Sequence, residues 1–154
     1  MKTVMALAMV GAATAAAMAN PTASVSTPAK DVKWQPLDPK DTAGKGPQVS
    51  VVFGDMTKKE PIGFFLKVPA GFKPGPHTHT SDDYAVIVQG SIHNFKPGKD
   101  EGPGVTVGGT WFQKGGEVHD NDCEKSSKDG CIIYVVMPNG FDFVPAADPA
   151  AKKK

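Results

Sequence analysis

Arginine is absent from this sequence: all 17 basic side chains are lysine. The planar fork that clamps a carboxylate or phosphate through two parallel hydrogen bonds has no residue to supply it, which counts against nucleotide and sugar-phosphate substrates. An excess of either charge is missing too. The formal net charge is +1, whereas nucleic acid demands a clearly basic face, so no nucleic-acid partner is expected. Leucine is scarce, and beyond the first twenty residues no stretch has convincing helical periodicity or is apolar enough to span a bilayer. Cysteine is reduced to two residues and histidine to four.

The chain opens with Lys2 and an alanine-dominated apolar run over residues 4–17, followed by Ala17-Met18-Ala19 ahead of Asn20. That order is the layout of a cleaved secretory signal, residues 1–19, and places the protein in the periplasm or outside the cell. A membrane anchor is the rival reading, weakened by the many alanines. Residues 20–30 are a polar, proline-punctuated leader. Residues 31–146 suit a single domain with one core, and 147–154 form a polar, lysine-ended tail. In an oxidising compartment Cys123 and Cys131 read as a disulfide stapling the neck of a hairpin, with free thiols, one of them near a metal, as the alternatives.

Glycine (17) and proline (14) are abundant and valine is frequent. Strands are expected at 48–53, 62–68, 84–88, 92–95, 105–107, 110–113 and 132–137, with an edge strand at 141–144. Short strands with a turn signal after nearly every one point to an all-β sandwich or barrel. Lys96 opens a charged, glycine- and proline-rich loop over 96–104. The pairs Phe64-Phe65 and Trp111-Phe112 are read as core, one ring of each facing inward.

The four histidines are His77, His79, His93 and His119. The first two stand at i and i+2, which on a strand puts both imidazoles on one face, about 7 Å apart along the chain. From there they can converge on one ion at bond lengths of roughly 2 Å. The same parity adds Ser81 and Asp83 if the strand runs on without a bulge.

Two glycine-framed patterns now emerge. Gly71, His77, His79, Asp83 and Gly90 follow the spacing of the first cupin motif, and Gly108, Gly116 and His119 that of the second. Over residues 47–144 the sequence resembles the cupins, and most closely small secreted single-domain members with a cysteine-flanked hairpin and a Phe-Asp-Phe-Val-type ending. The resemblance implies a double-stranded β-helix, or jelly-roll barrel, with His77, His79 and His119 as metal ligands at its mouth, Asp83 in the acidic position, and a homodimer. Three departures stand out: Asp83 where glutamate is usual, Lys114 for a proline, and Cys123 for an asparagine. Asp83, one methylene short, either reaches the metal or acts from behind a ligand, orienting a histidine or a water. Asp82 is the competing carboxylate if the strand bulges. His93 lies outside both motifs and is either a packed or surface residue or an acid–base group lining the barrel.

Three neutral imidazoles with at most one carboxylate suit one divalent transition metal (manganese, iron, nickel, copper or zinc) rather than magnesium or calcium. The expected function is an exported metal-dependent enzyme, oxidative and using dioxygen or peroxide, acting on a small molecule or saccharide. A Lewis-acid isomerase, lyase or hydrolase is the alternative within enzymes, and a non-enzymatic metal- or ligand-binding module the alternative outside them.

Overall fold

Valine- and isoleucine-rich segments in which every second side chain is apolar form the frame, seen in a computed structural model that describes residues 23–147. The segment read as a signal, residues 1–19, the first leader residues and tail residues 148–154 lie outside the described residues. The strands are β1 (Gln35–Pro36), β2 (Gln48–Phe53), β3 (Ile62–Val68), β4 (His77–Thr78), β5 (Asp83–Gln89), β6 (Ser91–Phe95), β7 (Val105–Thr106), β8 (Thr110–Gln113), β9 (Asp120–Cys123), β10 (Cys131–Met137) and β11 (Val144–Pro145). Ala29–Asp31 make one 3-10 turn. The large sheet runs β1-β2-β3-β10-β5-β8, the small one β7-β6-β9, and β11 pairs with β4. Every pairing is antiparallel. This is the all-β jelly-roll barrel expected of the sequence.

Alternation decides what the barrel encloses. On β5 Ala85 and Ile87 are buried while Tyr84, Val86 and Val88 face out; on β10 Cys131, Ile133, Val135 and Met137 are buried. Ile62 and Phe64 of β3 join them from the large sheet, and Ile92 and Cys123 from the small one. Side chains as completely buried as Ile62, Phe64 and Ile87 each contribute about 1.5–3 kcal/mol through removal from water.

The chain changes sheets at Gly90, between β5 and β6. Its φ is +80°, and a Cβ there would stand 2.8 Å from Cys131 Sγ and 2.9 Å from the Gly130 carbonyl oxygen, so only glycine turns this corner without strain. Beside it Cys123 and Cys131 form a disulfide, with Cα atoms 5.8 Å apart. The sequence leads one to expect a staple at a hairpin neck, but β9 and β10 do not pair with each other. Cys123 ends β9, which pairs with β6, and Cys131 begins β10, which lies between β3 and β5. It therefore ties the small sheet to the large one.

Two further expectations shift. The strand through the histidines stops after Thr78 and resumes at Asp83, because the intervening polar groups bond elsewhere. The Thr80 N–H donates to Asp142 Oδ1 at 2.7 Å, and the Asn139 N–H to Ser81 Oγ at 3.1 Å. Burial still alternates through the gap, so His77, His79, Ser81 and Asp83 all face inward. Of the edge strand expected at 141–144 only Val144 is extended, in β11; Phe141 instead packs its ring edge-on against Phe64, 5.6 Å between centroids.

Candidate metal centre

The centre begins with one rung of antiparallel backbone. His77 N–H donates to the His119 carbonyl and His119 N–H to the His77 carbonyl, both at 2.9 Å. The rung sets the two motifs side by side, and alternation brings His79 to the same face. A Cβ on Gly115 would stand 2.6 Å from the Thr80 carbonyl oxygen, so the turn before His119 lies directly against the segment that carries His79. The three imidazoles are at most 9% exposed. Their ring centroids lie 4.3–5.3 Å apart, and one donor atom of each falls within 4.8 Å of the others.

The outer nitrogens fix which tautomer each ring adopts. His77 Nδ1 meets the Gly75 carbonyl at 2.8 Å, His119 Nδ1 the Glu117 carbonyl at 3.1 Å, and His79 Nδ1 the carbonyl of Asp142. A carbonyl only accepts, so each Nδ1 carries the proton and each Nε2 keeps its lone pair free. This is the arrangement that orients histidine for a metal. Burial pushes the imidazoles toward the neutral form: His77 falls from 6.5 to about 4, and His79 and His119 shift the same way, against the opposing pull of their carbonyl partners. Three neutral nitrogen donors facing one point suit a transition metal of borderline softness.

The carboxylates separate cleanly. Asp83 is buried but stands outside the three-histidine group. Its Oδ1 accepts the Trp111 indole N–H at 3.0 Å, while burial raises its pKa against that hydrogen bond. Asp82 turns the other way, to Lys114 Nζ at 2.9 Å and the Gly115 N–H at 2.8 Å. Lys114, standing where the second motif has proline, thus holds that motif to the first through an ion pair.

His93 is not brought to the cluster and does not line the cavity. It follows the buried Ile92 on β6, and alternation turns it away from the core. Its Nδ1 bonds Asp122 Oδ1 at 2.6 Å, and Lys73 Nζ lies 2.8 Å from Asp122 Oδ2 and 3.1 Å from Glu101 Oε1. His93, Glu101 and Asp122 also come within ligand distance of one another, but the Lys73 ammonium already serves as their cation.

The C-terminal segment was legible only as an edge strand, yet it frames the centre. Asp142 supplies the carbonyl on His79 and hydrogen bonds to the Thr80 N–H and hydroxyl, and the Phe143 ring stacks on His77 at 4.4 Å. Beyond the histidines a cavity of about 590 Å³ opens inside the barrel, bordered by Phe64, Phe72, Trp111, Ile133, Val135 and Phe141 among others.

Residues 26–127 match the model of a family described as a domain of unknown function, DUF4437. The chain belongs to that family. The match ends before β10, although β10 lies between β3 and β5 in the large sheet. No curated protein matches the sequence. Among solved structures, this DUF4437 chain is similar to KdgF from a Halomonas species: 18% identity and a TM-score of 0.55 over 73% of this chain and 94% of that one. An RmlC-like cupin protein of Ralstonia eutropha gives 19% and 0.59 over 76% and 69%. An oxalate decarboxylase variant of Bacillus subtilis gives 17% and 0.50 over 73% and 29%. At these identities the likeness concerns the fold, and the fold of this DUF4437 protein is that of the cupins.

Proposed function

We propose that this chain is an exported metal-dependent enzyme, with one divalent transition metal on His77, His79 and His119 and a small molecule bound beside it in the barrel. The observation that carries this reading is the locked tautomer of all three buried rings, each Nδ1–H donated to a carbonyl, with one ring nitrogen of each within 4.8 Å of the others. When bound, such a metal supplies redox activation of dioxygen or peroxide, with Lewis-acid polarisation as the alternative chemistry. Copper, iron, manganese, nickel and zinc are all compatible with the donors.

The chain's own residues then divide the remaining tasks. Asp83, its pKa raised by burial and its orientation held by Trp111, moves a proton within the cavity. His93, facing Asp122, is left out of this role. The apolar walls keep water from the reacting groups. Export is supported by the cysteine pair, since such bridges persist in oxidising compartments. Among the described residues no helix is long and apolar enough to cross a membrane.

We also take the protein to be a homodimer. Tyr84 and Phe112, 50% and 53% exposed with rings 5.1 Å apart, join Val86 and Val88 in an apolar row on the outer face of the large sheet. A second copy covers such a row.

Metal analysis of untagged protein purified from its export compartment tests the central reading. About one equivalent per chain is expected, and none in His77→Ala. An empty wild-type protein, or a variant that keeps its metal, overturns it. A non-enzymatic binding module is the second reading, favoured by Phe143 lying flat on His77; it predicts saturable metal binding with no oxidation of phenols, diketones or oligosaccharides.

A further inference from the structure

We propose that the barrel cavity selects uncharged, largely apolar small molecules, aromatic ones foremost, and rejects anions and sugars. The inference rests on the cavity being the substrate pocket of the proposed enzyme, and it narrows the substrate class of that site. It is carried by which side chains reach the cavity and which do not.

The walls come mostly from Phe64, Phe72, Ile92, Trp111, Ile133 and Val135, with Leu66 and Met137 adding to them. At about 590 Å³ the space is that of an ordinary small-molecule pocket. Among the described residues no lysine borders it, and the chain has no arginine. The charged residues that do border it are all acidic: Asp38, Asp41, Asp83 and Asp122. Asp41 accepts the backbone N–H groups of Gly46 and Lys45, at 2.6 and 3.3 Å, which favours its ionised form. Asp122 is taken up by Lys73 and His93.

A carboxylate, sulfonate or phosphate ester entering here would leave water without gaining a cationic side chain, an arrangement that is strongly unfavourable. The metal alone could oppose that loss, and only for a group placed directly at the histidines. Sugars fail for a different reason. Each hydroxyl taken from water requires a hydrogen-bonding partner. Among the described residues, the one uncharged polar side chain on the cavity wall outside the histidines is Asn121, whose amide already donates to Asn94 at 3.0 Å. The wall carboxylates already hold other partners: Asp38 the Lys40 N–H, Asp41 the Gly46 and Lys45 N–H groups, Asp83 the Trp111 indole, and Asp122 Lys73 and His93. Flat apolar rings lose nothing of this kind and gain contact with Trp111 and the phenylalanines.

Two fluorescent probes with the same ring system provide the test: neutral N-phenyl-1-naphthylamine and its anionic relative 8-anilinonaphthalene-1-sulfonate. Each is titrated into the mature protein, first stripped of metal by chelator and then loaded with zinc. The neutral probe is expected to saturate at one per chain and to bind at least about tenfold more tightly than the sulfonate in the metal-free protein. Unlabelled 2-naphthol should displace it, and 2-naphthoate and cellobiose should not. Val135→Phe, which fills part of the cavity, should weaken the neutral probe; should that variant fail to fold, the wild-type competition series decides. Sulfonate binding equal to or tighter than that of the neutral probe without metal, or no saturable binding of the neutral probe, overturns the inference. Neutral-probe selectivity in a protein that takes up no metal would sink the metal reading and leave this one standing.

Discussion

His77 and His119 lie directly opposite one another and exchange both backbone hydrogen bonds at 2.9 Å. Because main chain makes the rung, removing one imidazole leaves the scaffold intact. His119→Ala is therefore expected to keep the wild-type circular dichroism spectrum. Ligand binding to the folded state alone stabilises by about 2.7 kcal/mol when free metal exceeds Kd a hundredfold, a rise on the order of 10 °C in Tm for a domain this size. Calorimetry with added zinc or copper should show that rise in the wild type and none in His119→Ala. A variant that still gains the full rise would mean that metal binds elsewhere.

Burial of the histidines also sets how the metal-free protein responds to acid. His77 is lowered from 6.5 to about 4, and His79 and His119 are lowered as well. Between those values the unfolded chain takes up protons that the folded chain refuses, so stability falls as pH drops from about 6.5 toward 4. Asp83 and Asp120, whose pKa values burial raises, act in the opposite direction, but two groups stand against three. In chelator, the urea midpoint should be lower at pH 5 than at pH 7.5. Equal midpoints would contradict the burial of neutral imidazoles.

The Cys123–Cys131 bridge spans a sequence separation of 8, short enough that the chain-entropy effect amounts to about 2–3 kcal/mol. Cys123→Ser with Cys131→Ser should lower the unfolding free energy by that amount in urea titrations. Reductant should shift the wild type to the same midpoint and leave the double variant unmoved. If the variant proves as stable as the oxidised wild type, the tie between the sheets contributes nothing.

Much of this architecture was legible because burial on a strand repeats every second residue. That period brought His77, His79, Ser81 and Asp83 to one face, and it survives the break between β4 and β5. His119 follows only from the resemblance to the second cupin motif, and the structure supplies its reason in the backbone rung. The polar β9, Asp-Asn-Asp-Cys, carries no strand signal of its own, because its extended form comes from pairing with β6 and not from its own residues. Asp142 escaped because its partners His79 and Thr80 are some sixty positions earlier in the chain. The outward direction of His93 had a signal, the apolar Ile92 beside it, that parity could have used. The choice between Asp82 and Asp83 needed Lys114 and Trp111 in place, and neither contact follows from local sequence.

Trp111 and Asp83 give the sharpest stability test, because removing either partner has opposite consequences. The indole N–H, 3.0 Å from Asp83 Oδ1, opposes the burial that raises the Asp83 pKa. Trp111→Phe keeps an aromatic ring in the wall but strands a buried carboxylate without its donor, which costs about 1–3 kcal/mol. The loss should be largest at neutral pH and shrink in acid, since a protonated Asp83 no longer carries the charge that the indole stabilised. Asp83→Asn retains an oxygen to accept the indole N–H and removes the buried charge, so its stability should match or exceed that of the wild type at pH 7.5. Urea unfolding of the wild type and both variants at pH 7.5 and pH 5 measures the six values needed. A marked loss of stability in metal-free Asp83→Asn would mean that the carboxylate has a cationic partner within the barrel, against the absence of lysine among the described residues of the cavity walls.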